Sequence, residues 1–112
     1  MKILLTGATG YIGSHLLHTL VSADHTVVCC VRDTSRFHPP ESISDSIEII
    51  QADFLDYDSL LNIPEDIDAA YYLMHSMSGS ANYQDMELTC AHNFREVVSN
   101  TNSQHVIYLG GI

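Results

Sequence analysis

The chain has 112 residues, 46% of them apolar, which is enough for one domain with a packed core. Its 14 acidic residues against 4 basic ones leave a net charge of −10, which argues against nucleic acid or an anionic membrane surface as a partner. No apolar run is long enough to span a bilayer, and the opening residues lack the pattern of a signal peptide.

Ile3-Leu4-Leu5 is wholly apolar, as in a strand covered on both faces. Thr6-Gly7-Ala8-Thr9-Gly10-Tyr11-Ile12-Gly13 follows directly, and a helix is predicted from Tyr11 to about Val21, with Ile12, Leu16, Leu17 and Leu20 on one face. Glycine triplets alone are weak signals. Between a strand and an amphipathic helix, with a second strand to follow, they mark a nucleotide-binding βαβ unit. Gly7 permits the tight turn, Gly10 lets backbone approach a pyrophosphate, and Gly13 allows close packing of the helix. The helix N-terminus supplies N–H groups and partial positive charge to phosphates. The candidate contacts in this loop are Gly7, Thr9, Gly10, Tyr11, Ile12 and Gly13.

Thr26–Val31 reads as a second buried strand. It carries Cys29 and Cys30, which with Cys90 make an odd set without metal-ligand spacing. Buried, inert thiols in a reducing cytoplasm are the expectation. At this strand's end an acid takes the ribose hydroxyls of NAD, whereas an Arg accepts the 2′-phosphate of NADP. The acid position falls on Val31, and Arg32 and Arg36 follow, which favours NADP. Asp33 keeps NAD open, and Arg32 paired with Asp33 or another surface acid is the plainer alternative.

Residues 33–46 read as a long polar loop and Ile47–Ile50 as a third strand. Just beyond it, Asp53 either hydrogen-bonds an adenine amino group, with Phe54 beside the ring, or turns the chain into the next helix. That short helix is expected over Asp56 to about Asn62, with Asp56 as its N-cap. Ala69–Met74 is a fourth strand, whose carboxyl end brings Leu73, Met74 and His75 against the cofactor. His75 lacks a visible partner and reads as a backbone-bonding residue rather than a catalyst. A long helix follows over Asn82 to about Asn100, with Leu88, Ala91, Phe94 and Val98 in one stripe, and Val106–Leu109 is a fifth strand.

This alternation predicts an α/β fold, a doubly wound parallel sheet of Rossmann type with about five strands in the order 3-2-1-4-5. A fifth strand without a following helix leaves an apolar edge, so the expectation is a second copy, a partner chain or further chain of a longer protein to cover it.

The motifs resemble those of short-chain dehydrogenase/reductase proteins, in particular the atypical and extended NmrA-like and epimerase-like members. Thr6, Gly7, Gly10 and Gly13 match the family's opening motif, Val31-Arg32-Asp33 its NADP-type strand end, and Asp53 its adenine-binding acid. Tyr72-Leu73-Met74-His75-Ser76-Met77 and Tyr108-Leu109-Gly110-Gly111 look like one subgroup of NAD(P)-dependent epimerases or reductases. The resemblance implies an NAD(P)-binding domain over residues 1–112, with the family's substrate region absent. It also implies a catalytic Tyr-x-x-x-Lys pair, which this chain lacks, since its one lysine is Lys2. The family's assisting Ser would fall near Gly110-Gly111, and its helix Asn aligns with Glu87. Two functions follow from the resemblance: the cofactor-binding part of an oxidoreductase or epimerase, or a non-catalytic NAD(P)-sensing module.

Overall fold

The computed structural model describes residues 1–73 and 83–108. Among them run β1 (Lys2–Thr6), β2 (Thr26–Val31), β3 (Ile47–Gln51), β4 (Ala69–Tyr72) and β5 (His105–Tyr108). All neighbours pair in parallel, in the order β3-β2-β1-β4-β5. The strand order therefore reverses between β1 and β4, and a crevice opens there at the carboxyl ends of the strands.

Successive strand residues point to opposite faces, so the unbroken apolar runs of β1 and β2 serve two cores. On one face Ile3, Leu5, Val27, Cys29 and Val31 pack with Leu17 and Leu20 of α1 (Tyr11–Ser22). On the other, Leu4, Val28, Cys30 and Ala70 pack with Cys90, Phe94, Val97 and Val98 of α2 (Tyr83–Ser99). Phe94 is fully buried, with ring centroids 4.6 Å from Tyr72, 5.9 Å from Phe54 and 6.1 Å from Tyr108. This aromatic group ties α2 to the sheet.

Four local expectations change. The 33–46 segment is not a plain loop, for it winds into 3-10 turns at Thr34–Arg36 and Glu41–Ser46. The helix expected after Asp56 is a 3-10 helix, Tyr57–Asn62, and the Asp56 side chain does not cap it. Its first turn is held by Ser59, whose N–H (3.1 Å) and hydroxyl (2.7 Å) both donate to the Asp56 carbonyl. The buried stripe of α2 is rotated from the expected one, since Leu88 is exposed and Cys90 and Asn93 turn inward. A polar Asn was not counted toward an apolar face, although its amide reaches a backbone partner there. In α1 the apolar face likewise excludes Ile12, which is exposed at the first turn.

β5 lies at the sheet edge, and Val106, Ile107 and Tyr108 are exposed. At the amino ends of the strands, Lys2 Nζ pairs with Asp66 (3.0 Å) and Glu48 (3.6 Å). The Asp66 hydrogen bond, helped by both carboxylate charges, holds the Lys2 ammonium above its ordinary pKa against a smaller opposing effect of desolvation. The chain's single lysine is therefore committed at the end of the sheet opposite the crevice.

Candidate functional site

Thr6, the last residue of β1, is almost wholly buried at the crevice. Its hydroxyl donates to the Tyr71 carbonyl (3.0 Å) and accepts the Leu73 N–H (3.1 Å). One side chain thus bridges β1 to β4 just beyond their last registered pair, Leu5 with Tyr71, where the strand order reverses. Thr6 was matched to a motif in the sequence without a role. A hydroxyl at the end of an otherwise apolar strand was the available signal.

The chain next turns at Gly7, with φ +76°. That conformation is in the left-handed region, and a Cβ here would also stand 2.8 Å from the Leu73 carbonyl oxygen. Leu73 therefore closes over the loop from β4, with its side chain buried. The Gly10 N–H donates back to the Gly7 carbonyl (3.1 Å), which completes the turn. Gly13, in the first turn of α1, packs against the same carbonyl, and a Cβ there would collide with it. The expected role of Gly13 is sharpened: it lets the helix start sit directly on the loop.

Gly10 is the N-cap of α1, and no side chain caps the helix. The first N–H groups of a helix lack intrahelical acceptors, so this terminus offers donors to an anion. Tyr11 and Ile12 stay exposed around it, and Thr9 is exposed in the loop. Tyr11 makes an edge contact with His15, at 4.5 Å between ring centroids. A loop with no room for side chains at two glycines and an uncapped helix terminus fits a dinucleotide pyrophosphate.

At the end of β2, Val31 is buried in the α1-side core, so the ordinary acid position is apolar. Arg32 is exposed. Burial pushes the Cys90 thiol up, the Asp53 charge adds to that push, and the Arg32 charge opposes it. The alternative pairing of Arg32 with Asp33 is not the one formed. Asp33 pairs instead with Arg36, Oδ2 to Nε at 3.6 Å, with both side chains largely exposed. Hydrogen bonds from Ser35, side chain first and then backbone, together with the Arg36 charge, hold the Asp33 carboxyl below its ordinary pKa against a smaller desolvation effect.

Asp53 Oδ1 accepts the Leu55 N–H (2.9 Å), and the Asp53 N–H donates to Ser59 Oγ (2.9 Å). The carboxylate therefore shapes its own turn. Phe54 corrects an expectation: its ring is buried and packs near Phe94, so it serves the core instead of lying beside a base. Its carbonyl accepts the buried Asn93 amide (2.7 Å), and this bond fixes the Asp53-Phe54 segment to α2. Asn93 lies outside the apolar stripe that the sequence predicts for this helix. Met74 and His75, and Gly110 and Gly111, lie outside the described residues. Among the described residues no group of His, Cys, Asp and Glu is placed to hold a metal.

The family model for NAD-dependent epimerases and dehydratases matches residues 3–110. The chain belongs to that family. An uncharacterised protein of Saccharomyces cerevisiae is 33% identical over 73 residues, which covers 65% of this chain and 24% of that protein. A nucleoside-diphosphate-sugar epimerase from Staphylococcus aureus superposes with a TM-score of 0.74 at 19% identity, covering 98% of this chain and 38% of that one. Yeast methylglyoxal/isovaleraldehyde reductase Gre2, solved with NADPH, superposes with a TM-score of 0.75 at 13% identity, covering 96% of this chain and 36% of that one. The chain spans less than half the length of each. Its residues form the NAD(P)-binding Rossmann region of this epimerase and dehydrogenase/reductase-like family.

Proposed function

We propose that the chain is the cofactor-binding portion of an oxidoreductase or epimerase of the atypical, NmrA-like branch, with a preference for NADP. The observation that carries the preference is the end of β2, where Val31 is buried and Arg32 and Arg36 stand exposed. In a chain with only 4 basic residues, two within five positions at this point favour a 2′-phosphate. The nicotinamide, when bound, supplies hydride transfer to or from a carbon of the substrate. The chain's own part is binding and orientation. The α1 terminus and the glycine loop receive the pyrophosphate, Arg32 and Arg36 the 2′-phosphate, and the Asp53 turn the adenine edge. Leu73, which closes over the glycine loop from β4, stands on the nicotinamide side.

A second reading has one observation in its favour. β5 lies at the sheet edge, and Val106, Ile107 and Tyr108 are exposed there. On that reading the chain binds NAD(P) without turnover and acts through a partner or a second copy docked at β5. Buried free thiols at Cys29 and Cys30 support a reducing, cytoplasmic setting for either reading.

Titration with NADPH and NADH, followed by nicotinamide fluorescence, tests the proposal, and assays with mixed aldehydes and ketones separate the two readings. Tighter binding of NADPH than of NADH, with turnover once the family's substrate region is joined to the chain, is the expected result for the first. Binding without turnover supports the second, and absence of binding by both nucleotides refutes both. Light scattering reports whether the β5 edge draws copies together.

A further inference from the structure

An acid just past the second strand is ordinarily free to accept the ribose hydroxyls of NAD. Asp33 is not free. Its Oδ1 accepts both the Ser35 N–H (3.0 Å) and the Ser35 hydroxyl (2.6 Å). Its Oδ2 faces Arg36 Nε at 3.6 Å, and the Arg36 N–H closes the turn on the Asp33 carbonyl (3.1 Å). Gripping a vicinal diol takes acceptor positions on both carboxylate oxygens, and the two Ser35 donors already fill those of Oδ1. Asp33 lies two residues past the end of β2, whose Cys29 and Val31 pack in the same core as Ala8 of the glycine loop. Released from its turn, the carboxylate would stand where it both takes a ribose diol and repels a 2′-phosphate.

Resting on the NADP reading above, we propose that Ser35 determines cofactor specificity by holding the Asp33 carboxylate inside its own turn, so that the acid is withheld from the ribose and the strand end is left to Arg32 and Arg36. Ser35 acts through Asp33 and is a positioning residue. The Asp33–Arg36 pair is exposed and weakly bound, so the Arg36 guanidinium remains free to swing onto a phosphate. The Ser35 bonds are the shorter and more directed part of the device, and for this reason the selectivity is assigned to Ser35.

The test compares NADPH and NADH affinities of the full chain with those of Ser35→Ala, Ser35→Thr, Asp33→Asn and the Ser35→Ala, Asp33→Asn double variant. Ser35→Ala is expected to narrow the preference for NADPH roughly two- to fivefold, the range of one exposed charge-assisted contact. Ser35→Thr keeps the hydroxyl and the wild-type ratio, and the double variant returns toward that ratio because the released carboxylate is gone. An unchanged ratio in Ser35→Ala, with both nucleotides still bound, overturns the inference while leaving the NAD(P) reading intact. Loss of NADH binding in Asp33→Asn alone also overturns it, since that shows Asp33 already on the ribose. Failure of the wild-type chain to bind either nucleotide removes both. A readout without nucleotide is the carboxyl carbon resonance of Asp33. It is expected to titrate below the ordinary Asp range in the wild type and to return upward in Ser35→Ala. An unmoved titration in that variant overturns the withholding directly.

Discussion

The glycine loop and the 33–36 turn stand at the carboxyl ends of adjacent strands, and they keep their shapes by different means. The loop is held by exclusion: buried Thr6 bridges the strands, the Leu73 carbonyl closes on Gly7, and Gly13 rests on the Gly7 carbonyl. No charge takes part. The turn is held by exposed polar bonds from Ser35 and Arg36 to one carboxylate. A loop held by close backbone contacts tolerates almost no added atom, whereas a turn held by surface side chains is soft to mutation, pH and salt. The contrast suits the two tasks proposed for them. The pyrophosphate is common to both nicotinamide dinucleotides, and the 2′ position is where they differ.

The largest effect is expected from Gly13→Ala, since its Cβ runs into backbone that cannot step aside. Overpacking of this kind costs on the order of 1–3 kcal/mol, and thermal melts should show the loss together with weakened binding of both NADPH and NADH. A melt unchanged from wild type would mean that the loop is as soft as the turn. Next comes Thr6→Val, which keeps the shape and removes the hydroxyl, leaving the Tyr71 carbonyl and the Leu73 N–H without it. A loss of about 1–3 kcal/mol in denaturant unfolding is expected, with Thr6→Ser retaining most of it. If Thr6→Val unfolds at the wild-type midpoint, the bridge contributes nothing to holding the crevice.

The smallest effect sharpens the contrast from the other side. The folded-state pKa of Asp33 lies below its ordinary value. The turn's contribution is therefore full above the unfolded pKa and is lost as pH falls through the folded one. Following the Ser35 amide resonance from neutral to acidic pH should show an inflection below the ordinary Asp value of 3.8, moving toward it in high salt as the Arg36 attraction is screened. The Leu73 amide, bonded to an uncharged hydroxyl, should show neither response. A shared inflection at Ser35 and Leu73 would dissolve the distinction between the two regions.

Much of this was legible in the chain itself. Apolar runs separated by polar connections predicted the parallel sheet and its order, because an unbroken run of apolar strand residues requires cover on both faces. Gly7, Gly10 and Gly13 marked the loop because their spacing meets a strand end and a helix start at once. Arg32 and Arg36 stood out because bases are scarce. What was not legible depended on partners distant in sequence or on competition between near ones. Phe54 was drawn to the core by Phe94, forty residues on, a contact that exists only once α2 packs on the sheet. Asn93 reads as a solvated polar residue until the Phe54 carbonyl is found beneath it. The choice of Arg36 over Arg32 as the Asp33 partner was decided by a tight turn, although the Asp-Thr-Ser spacing, in which a side chain caps the N–H two residues on, was a readable hint.

By itself, then, the sequence determined the layout of the sheet and the position of the glycine loop, since both rest on periodicity and on the absence of side chains at fixed spacings. Only the tertiary structure decided which polar groups are engaged and which remain to meet a ligand. Engagement depends on donors and acceptors converging to within hydrogen-bonding distance, and that convergence is produced by packing.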